Sequence, residues 1–334
     1  MTTRHDARPQ VLGDPPTSVR SIDELAEADV ATMLTAPSAP ELLERLGITG
    51  QDHEELAPLL SAAVADTEIL AEITRTANLL RAGAGLDVPE VDLGALSARH
   101  DELQHRLVPG EGLLGILALV VSTSTVRAWH AERGLTTELS WEVLADLGQQ
   151  MRVHRRSSGR LGLHQLHWMV LNWRGRLVHL GRLQFDLHRA EKGTDRERWV
   201  IGTHIPARGP LTPRAVEDSF ARATEYFTTH YTDLGTGRPQ DAPRFGHEFV
   251  CDSWLMNPVL VQELGTTSNI GGFVDRWEIL STSPGADGAA FFVFGERPPY
   301  DAAALPRSTR LERVVAERLA DGRGWDSGLG HLER

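Results

Sequence analysis

The sequence predicts an α/β protein of the α+β kind, a helical N-terminal part followed by strands that alternate with helices. Three observations carry this. From Ile22 to about His130, a stretch rich in Leu, Ala and Glu, apolar residues recur at helical spacing. Beyond His164 the texture changes to period-two alternation, in Leu183, Phe185 and Leu187 and again in Trp199, Ile201, Thr203 and Ile205. The later strands are separated by segments with helix start signals of their own, Thr212-Pro213 and Asn257-Pro258. At 334 residues with 41% apolar content the chain has room for two ordinary domains. The expected division is an arm over 1–20, a helical domain over 21–135, a strand-bearing domain over 136–305, and a C-terminal helix and tail over 306–334.

Residues 1–20 are polar and broken by proline, with no apolar signal core, and read as a mobile arm and not a secretory leader. Helices follow in SIDELAEADVATMLTA, opened by a Ser21–Glu24 capping box, then in APELLERLGI and HEELAPLLSAAVADTEILAEITRTANLLRA. Gly83, Gly85 and Pro89 interrupt the pattern before a helix around Leu96 to Leu107. The uncharged run from Gly112 to Val126 is shorter than the roughly twenty residues a bilayer requires and predicts a buried helix, with no membrane partner. A further helix starts near Thr137 and ends at Gly159, with Arg152, His154, Arg155 and Arg156 at the negative end of its dipole. In the second half, GRLQFDLHR, the KGTD turn and the Trp199 strand predict an antiparallel hairpin. Additional strands are expected at FVCDSWL, GGFVDRWEIL and AAFFVFG, a short helix at NPVLVQELG, and a polar helix with a Gly-rich end over Pro306 to Arg334.

Charge and cysteine content exclude several classes. Lys and Arg total 34 against 46 Asp and Glu, a net charge of −12, which argues against a dedicated nucleic-acid binder. The one cysteine, Cys251, permits neither an intramolecular disulfide nor a thiolate metal cluster and suits a reducing cytoplasm. His164 and His167 lack a nearby carboxylate or thiolate at a recognisable ligand spacing, so no metal is expected. Trp168, Trp173, Phe185 and Trp254 are expected in the core.

Trp199 to Phe227 reads as a strand, an Arg-Gly-Pro loop and a capped helix. Arg208, Gly209, and the helix N-terminus opened by Thr212 and Pro213 combine a guanidinium, a permissive backbone and the positive end of a dipole, which is what a pyrophosphate needs. The same turn also occurs without a ligand. Taken in order, LGRLQFDLH, HIPARGPLTP, VCDSWLMNP and SNIGGF resemble the GNAT superfamily of N-acetyltransferases, in particular its bacterial two-domain branch with a helical N-terminal domain. The resemblance spans the chain beyond the arm. It implies a mixed, mostly antiparallel sheet flanked by helices and splayed between its fourth and fifth strands, here the Trp199 strand and Phe249 to Trp254. Acetyl-CoA or another acyl-CoA would lie in the opening as co-substrate. Ile205, Arg208, Gly209, Pro210, Leu211 and Thr212 match the pyrophosphate loop, but Leu211 stands where the usual second glycine would be, and Pro210 removes a donor.

Transfer from a thioester to an amine needs a base, a stabilised oxyanion and often an acid for the departing thiolate. His204, near the end of the Trp199 strand, is the candidate base; a histidine bonding a backbone group at a strand end is the alternative. Asp252 is a second candidate, as a base or as a site for a cationic substrate, provided that it faces the opening; Cys251 then faces away as a small apolar side chain. A Cys251–His204 nucleophilic pair, or a Cys251 thioesterase, is the competing arrangement. Asn257 can hydrogen-bond the pantetheine arm or cap a helix. Tyr226 and Tyr231 are the tyrosines weighed for the acid, which stays unassigned. The expected function is direct acyl transfer from CoA to an amine or hydroxyl of an unidentified small-molecule acceptor; the rival is a noncatalytic acyl-CoA sensor or scaffold. Oligomeric state is not legible.

Overall fold

A computed structural model describes residues 23–86, 88, 93–107, 110–163, 166–189, 198–206, 209–235 and 243–334. The N-terminal arm, Ser21, Pro89, His164, the KGTD turn and Arg208 lie outside the described residues. The chain forms two compact units, Met1–Leu177 and Val178–Arg334. The division therefore falls later than the expected boundary at residue 135, because the helices that follow it contribute to the first unit's core.

The first unit contains α1 (Glu27–Thr35), α2 (Ala39–Arg45), α3 (Gln51–Ala65), α4 (Thr67–Ala82), α5 (Leu93–Gln104), α6 (Leu113–Glu132), α7 (Thr137–Leu144), α8 (Asp146–Ser158) and α9 (Leu166–Trp173). Two-residue strands β1 (Gly110–Glu111) and β2 (Leu161–Gly162) pair in parallel. What reads as one long helical run is split into α3 and α4 by Asp66, whose carboxylate accepts from the amides of Glu68 and Ile69. α6 is long and apolar enough to cross a membrane, but most of it, from Leu113 to His130, is buried inside the unit. Two of the arginines near the end of α8 face inward while Arg156 is exposed: Arg155 bonds Asp52 at 2.6 Å and Glu55 at 2.8 Å, and Arg152 donates to the Gly47 carbonyl at 2.6 Å. Trp173 is 1% exposed and donates its indole N–H to the Leu119 carbonyl at 2.8 Å.

Among the described residues three histidines are buried in this unit. His130 Nδ1 meets Ser140 Oγ at 3.0 Å, and burial, with help from Arg127, lowers its pKa to about 3. His100, beside Thr76 and Glu72, and His154, beside Glu111, are likewise pushed below the ordinary histidine value by burial.

The second unit is built on a six-stranded sheet. Its elements are β3 (Leu177–Leu180), β4 (Leu183–Arg189), β5 (Trp199–His204), α10 (Pro213–His230), β6 (Glu248–Ser253), α11 (Val259–Leu264), α12 (Asn269–Val274), β7 (Glu278–Pro284), α13 (Ala286–Phe294), α14 (Arg310–Ala320) and β8 (Asp326–Glu333). The strand order is β3-β4-β5-β6-β8-β7. β4–β5, β6–β8 and β7–β8 are antiparallel, and β5–β6 is parallel. α10 buries Val216, Ser219, Phe220, Ala223 and Phe227 as one stripe, and Phe220 meets Phe185 and Phe249 edge-on, with ring centroids 5.8 and 5.0 Å away.

Three expectations are corrected. AAFFVFG is helix α13: Ala289 and Ala290 pack inward, and the aromatic run that suggests a strand stays partly or fully exposed, with Phe292 at 62%. In GGFVDRWEIL the first half is the end of α12, opened by Ser268, and only the second half enters β7. The Gly-rich end is no tail but β8, a strand inside the sheet. Its glycines are there for space: a Cβ on Gly328 would lie 2.6 Å from the Met256 carbonyl oxygen, and one on Gly330 would press on Met256 and Trp277.

Candidate active site

β5 and β6 are registered at two positions, Ile201 with Phe249 and Gly202 with Val250, whereas β4–β5 and β6–β8 pair along their lengths. The parallel pair therefore opens toward its C-terminal ends, with Thr203 and His204 on one side and Cys251 to Ser253 on the other. Alternation assigns the faces. Phe185, Ile201, Phe249 and Cys251 share the α10 face, while Asp186, Gly202, His204, Val250 and Asp252 share the opposite one.

On that opposite face Asp186 is 5% exposed and bonded to two histidines, His204 Nε2 at 2.6 Å and His188 Nδ1 at 2.9 Å. Burial by itself would raise the Asp186 pKa, but the two hydrogen bonds and the imidazole charges outweigh it and hold the carboxyl well below the usual range. An ionised carboxylate only accepts, so both ring nitrogens facing it carry hydrogen. For neutral His204 this fixes the tautomer, with Nε2–H toward Asp186 and the lone pair on Nδ1. Gly202, directly across from Asp186, makes the room: a Cβ there would sit 2.0 Å from Asp186 Oδ1. In the sequence Asp186 and His188 are two letters of GRLQFDLHR, a predicted strand, with no role marked by composition or motif. The traces that mark them are an Asp-x-His on one strand face and a glycine inside the neighbouring strand.

β5 leads through Ile205 and Pro206 to Gly209, Pro210, Leu211 and the α10 N-terminus. Gly209 is exposed with φ +57°, Pro210 is exposed, and Leu211 is 7% exposed, so the residue in the second-glycine position turns its side chain into the core. Thr212 Oγ1 accepts from the Ala215 amide at 3.3 Å, the cap expected for it. Arg182, in the turn before β4, donates to the Pro206 carbonyl and to the Gly209 carbonyl, both at 3.0 Å.

The N-terminal half of the chain, residues 37–175, matches the family described as N-acyltransferase N-terminal domain, and residues 177–332 match the GNAT-like C-terminal domain. This chain is a two-domain GNAT-like acyltransferase. Among solved structures it is similar to an acyltransferase in complex with decanoyl-CoA and teicoplanin, at 29% identity over 88% of this chain and 87% of that one, TM-score 0.68. It is also similar to an acyltransferase with CoA and 10C-teicoplanin, at 27% identity over 89% and 88%, TM-score 0.70. A third, an acyltransferase mutant with octanoyl-CoA, is 28% identical over 89% and 87%, TM-score 0.69. No curated protein matches the chain. The protein is thus an acyl-CoA-dependent enzyme with acyl-CoA as its co-substrate, and the noncatalytic alternative gives way.

Against that chemistry the remaining candidates separate. Cys251 is 1% exposed on the α10 face, and burial, with Asp252 beside it, pushes its thiol pKa up, the reverse of what a nucleophilic thiolate needs. Asp252, its neighbour, is exposed on the face that holds His204. Asn257 is 4% exposed with both ends of its amide engaged internally: Oδ1 accepts from the Val259 amide and Nδ2 donates to the Asp326 carbonyl, each at 3.0 Å. It therefore fastens the start of α11 to β8. Tyr226 and Tyr231 are buried among Phe227, His230 and each other, as packing. Among the described residues no group of His, Cys, Asp and Glu gathers that could hold a metal ion.

Proposed function

We propose that this acyltransferase moves a medium-chain acyl group from CoA directly to an amine of a small-molecule acceptor, with His204 as general base. One observation carries the assignment: His204 stands at the mouth of the β5–β6 opening, a third exposed, with its Nε2–H held by the buried Asp186 carboxylate. A base so held has its lone pair on Nδ1, and the imidazolium formed on accepting the amine proton is stabilised by the carboxylate behind it. The amine nitrogen forms the new bond to the acyl carbon, the carbon–sulfur bond breaks, and the thiolate leaves and takes a proton from solvent. Asp252, exposed on the same face, offers a charge to draw in the acceptor in its ammonium form. Support for the donor length and the acceptor class comes from the similar structures, which hold octanoyl-CoA, decanoyl-CoA and teicoplanin.

The test pairs acetyl-, octanoyl- and decanoyl-CoA with teicoplanin and simple primary amines, following thiol release and the mass of the product. The expected result is acceptor-dependent thiol release, a product carrying the acyl group on nitrogen, and no acylated protein. Replacing His204 by Ala is expected to slow transfer by about 10²–10⁴ while acyl-CoA binding persists. Transfer at the wild-type rate in that variant removes His204 from the mechanism, and acylated protein on the reaction path removes direct transfer.

A further inference from the structure

We infer that Arg182 is the positioning residue of the CoA pyrophosphate site, acting through the carbonyl groups of Pro206 and Gly209 between β5 and α10. The inference rests on the acyl-CoA reading and concerns one part of that ligand. The N-terminus of α10 is a poor anion site by itself. Pro213 has no N–H, Ala215 gives its own to Thr212 Oγ1, and Val216 donates to the Thr212 carbonyl. Of the first-turn amides this leaves that of Arg214 to meet a phosphate. Pro210 removes a further donor just upstream, and Leu211 is turned into the core.

Arg182 offsets both deficits. Its guanidinium forks onto two carbonyl oxygens of the loop, Pro206 and Gly209, each at 3.0 Å. Carbonyl oxygens carry partial negative charge and would repel an anion; turned onto the fork, they face a cation instead. The same contacts place a permanent positive charge against the loop. The arginine is itself fixed to α10. Its backbone N–H donates to Ser219 Oγ at 2.7 Å, the Leu183 N–H reaches the same oxygen at 3.3 Å, and Ser219 passes its hydroxyl hydrogen to the Ala215 carbonyl at 2.9 Å. Ser219 is fully buried, so this clamp is sheltered from water. The turn before β4, the Pro206 and Gly209 carbonyls and the first turns of α10 are thereby tied together, with Arg182 common to all three.

The prediction concerns the difference between two ligands, one with the pyrophosphate and one without. In calorimetric titrations of the full chain, Arg182→Ala is expected to raise the Kd of CoA tenfold or more and to leave that of pantetheine within twofold. Arg182→Lys, which keeps the charge but reaches one carbonyl at a time, is expected to fall between. Thermal melting of each variant reports whether the fold survives; if the alanine variant does not fold, the lysine variant carries the same comparison. An equal loss for both ligands, or an unchanged CoA affinity, overturns the inference. Neither ligand needs turnover, so the clamp can fail while acyl transfer stands, and it can stand if the proposed amine acceptor is wrong.

Discussion

The N-terminal unit buries the imidazoles of His100, His130 and His154, whereas in the C-terminal unit the Asp186 carboxylate is buried and its two histidines, His188 and His204, are partly exposed around it. The same residue type meets opposite physics. A buried imidazole without a full counter-charge is held neutral, and His130, bonded to Ser140, becomes a piece of core. A buried carboxylate flanked by imidazoles stays ionised and accepts a hydrogen bond from each of them, which fixes how they are turned. What separates His130 from His204 is which partner lost its water.

The comparison is broken most forcefully at Gly202. Gly202→Ala puts a methyl group where Asp186 Oδ1 now lies, so the carboxylate must leave His204. Transfer is expected to drop by about 10²–10⁴, nearly as far as when the base itself is removed. A loss of less than about threefold in kcat, with an undisturbed melting temperature, shows that the Asp186–His204 contact is not what orients the imidazole.

Acid stability sharpens the contrast. The His130 pKa is about 6.5 in an unfolded chain and about 3 in the folded one, so between those values the unfolded state binds a proton that the native state refuses. Its contribution is complete above pH 6.5 and lost as pH falls, by roughly 1.4 kcal/mol per pH unit. His100 and His154, also depressed, push in the same direction. Asp186 behaves otherwise: its stabilisation is present above the ordinary carboxylate pKa and fades only as pH falls through its much lower native value. Melting curves of wild type and His130→Gln between pH 7.5 and about 4.5 check this, since the variant is expected to show the shallower pH dependence. Parallel curves for the two proteins refute the neutral buried imidazole.

The smallest effect is expected at Cys251. With its thiol buried and its pKa raised, Cys251→Ser leaves transfer within about twofold, at a modest cost in melting temperature for a hydroxyl in an apolar setting. A loss of activity on the scale of His204→Ala, with the melting temperature unchanged, returns the thiol to the reaction.

How legible each feature was follows from the range of the interactions that make it. The helical half, β4, β5 and the start of α10 are written locally, in periodicity and in Thr212-Pro213. β8 is not, because the contacts that require Gly328 and Gly330 come from Met256 and Trp277, distant in sequence. α13 misleads because its aromatic residues, the usual mark of a strand, are the ones it leaves partly exposed. His204 stands out as a histidine at a strand end, but its partner Asp186 appears only once the hairpin register is known. Arg182 is harder still, since its role depends on two carbonyl groups and no side chain.

β8 also governs the order in which the molecule can be assembled. β6 and β7 are not neighbours; each pairs with β8, which lies between them. During synthesis both strands leave the ribosome before residues 326–333 exist, so β6, the strand that carries Asp252, waits with one edge unsatisfied. Such late, non-local pairing slows folding and leaves sheet edges exposed to other chains in the interval. A nascent chain arrested before Asp326 should therefore carry a formed helical unit and an incomplete sheet, and the active-site opening takes its final shape only with the last strand.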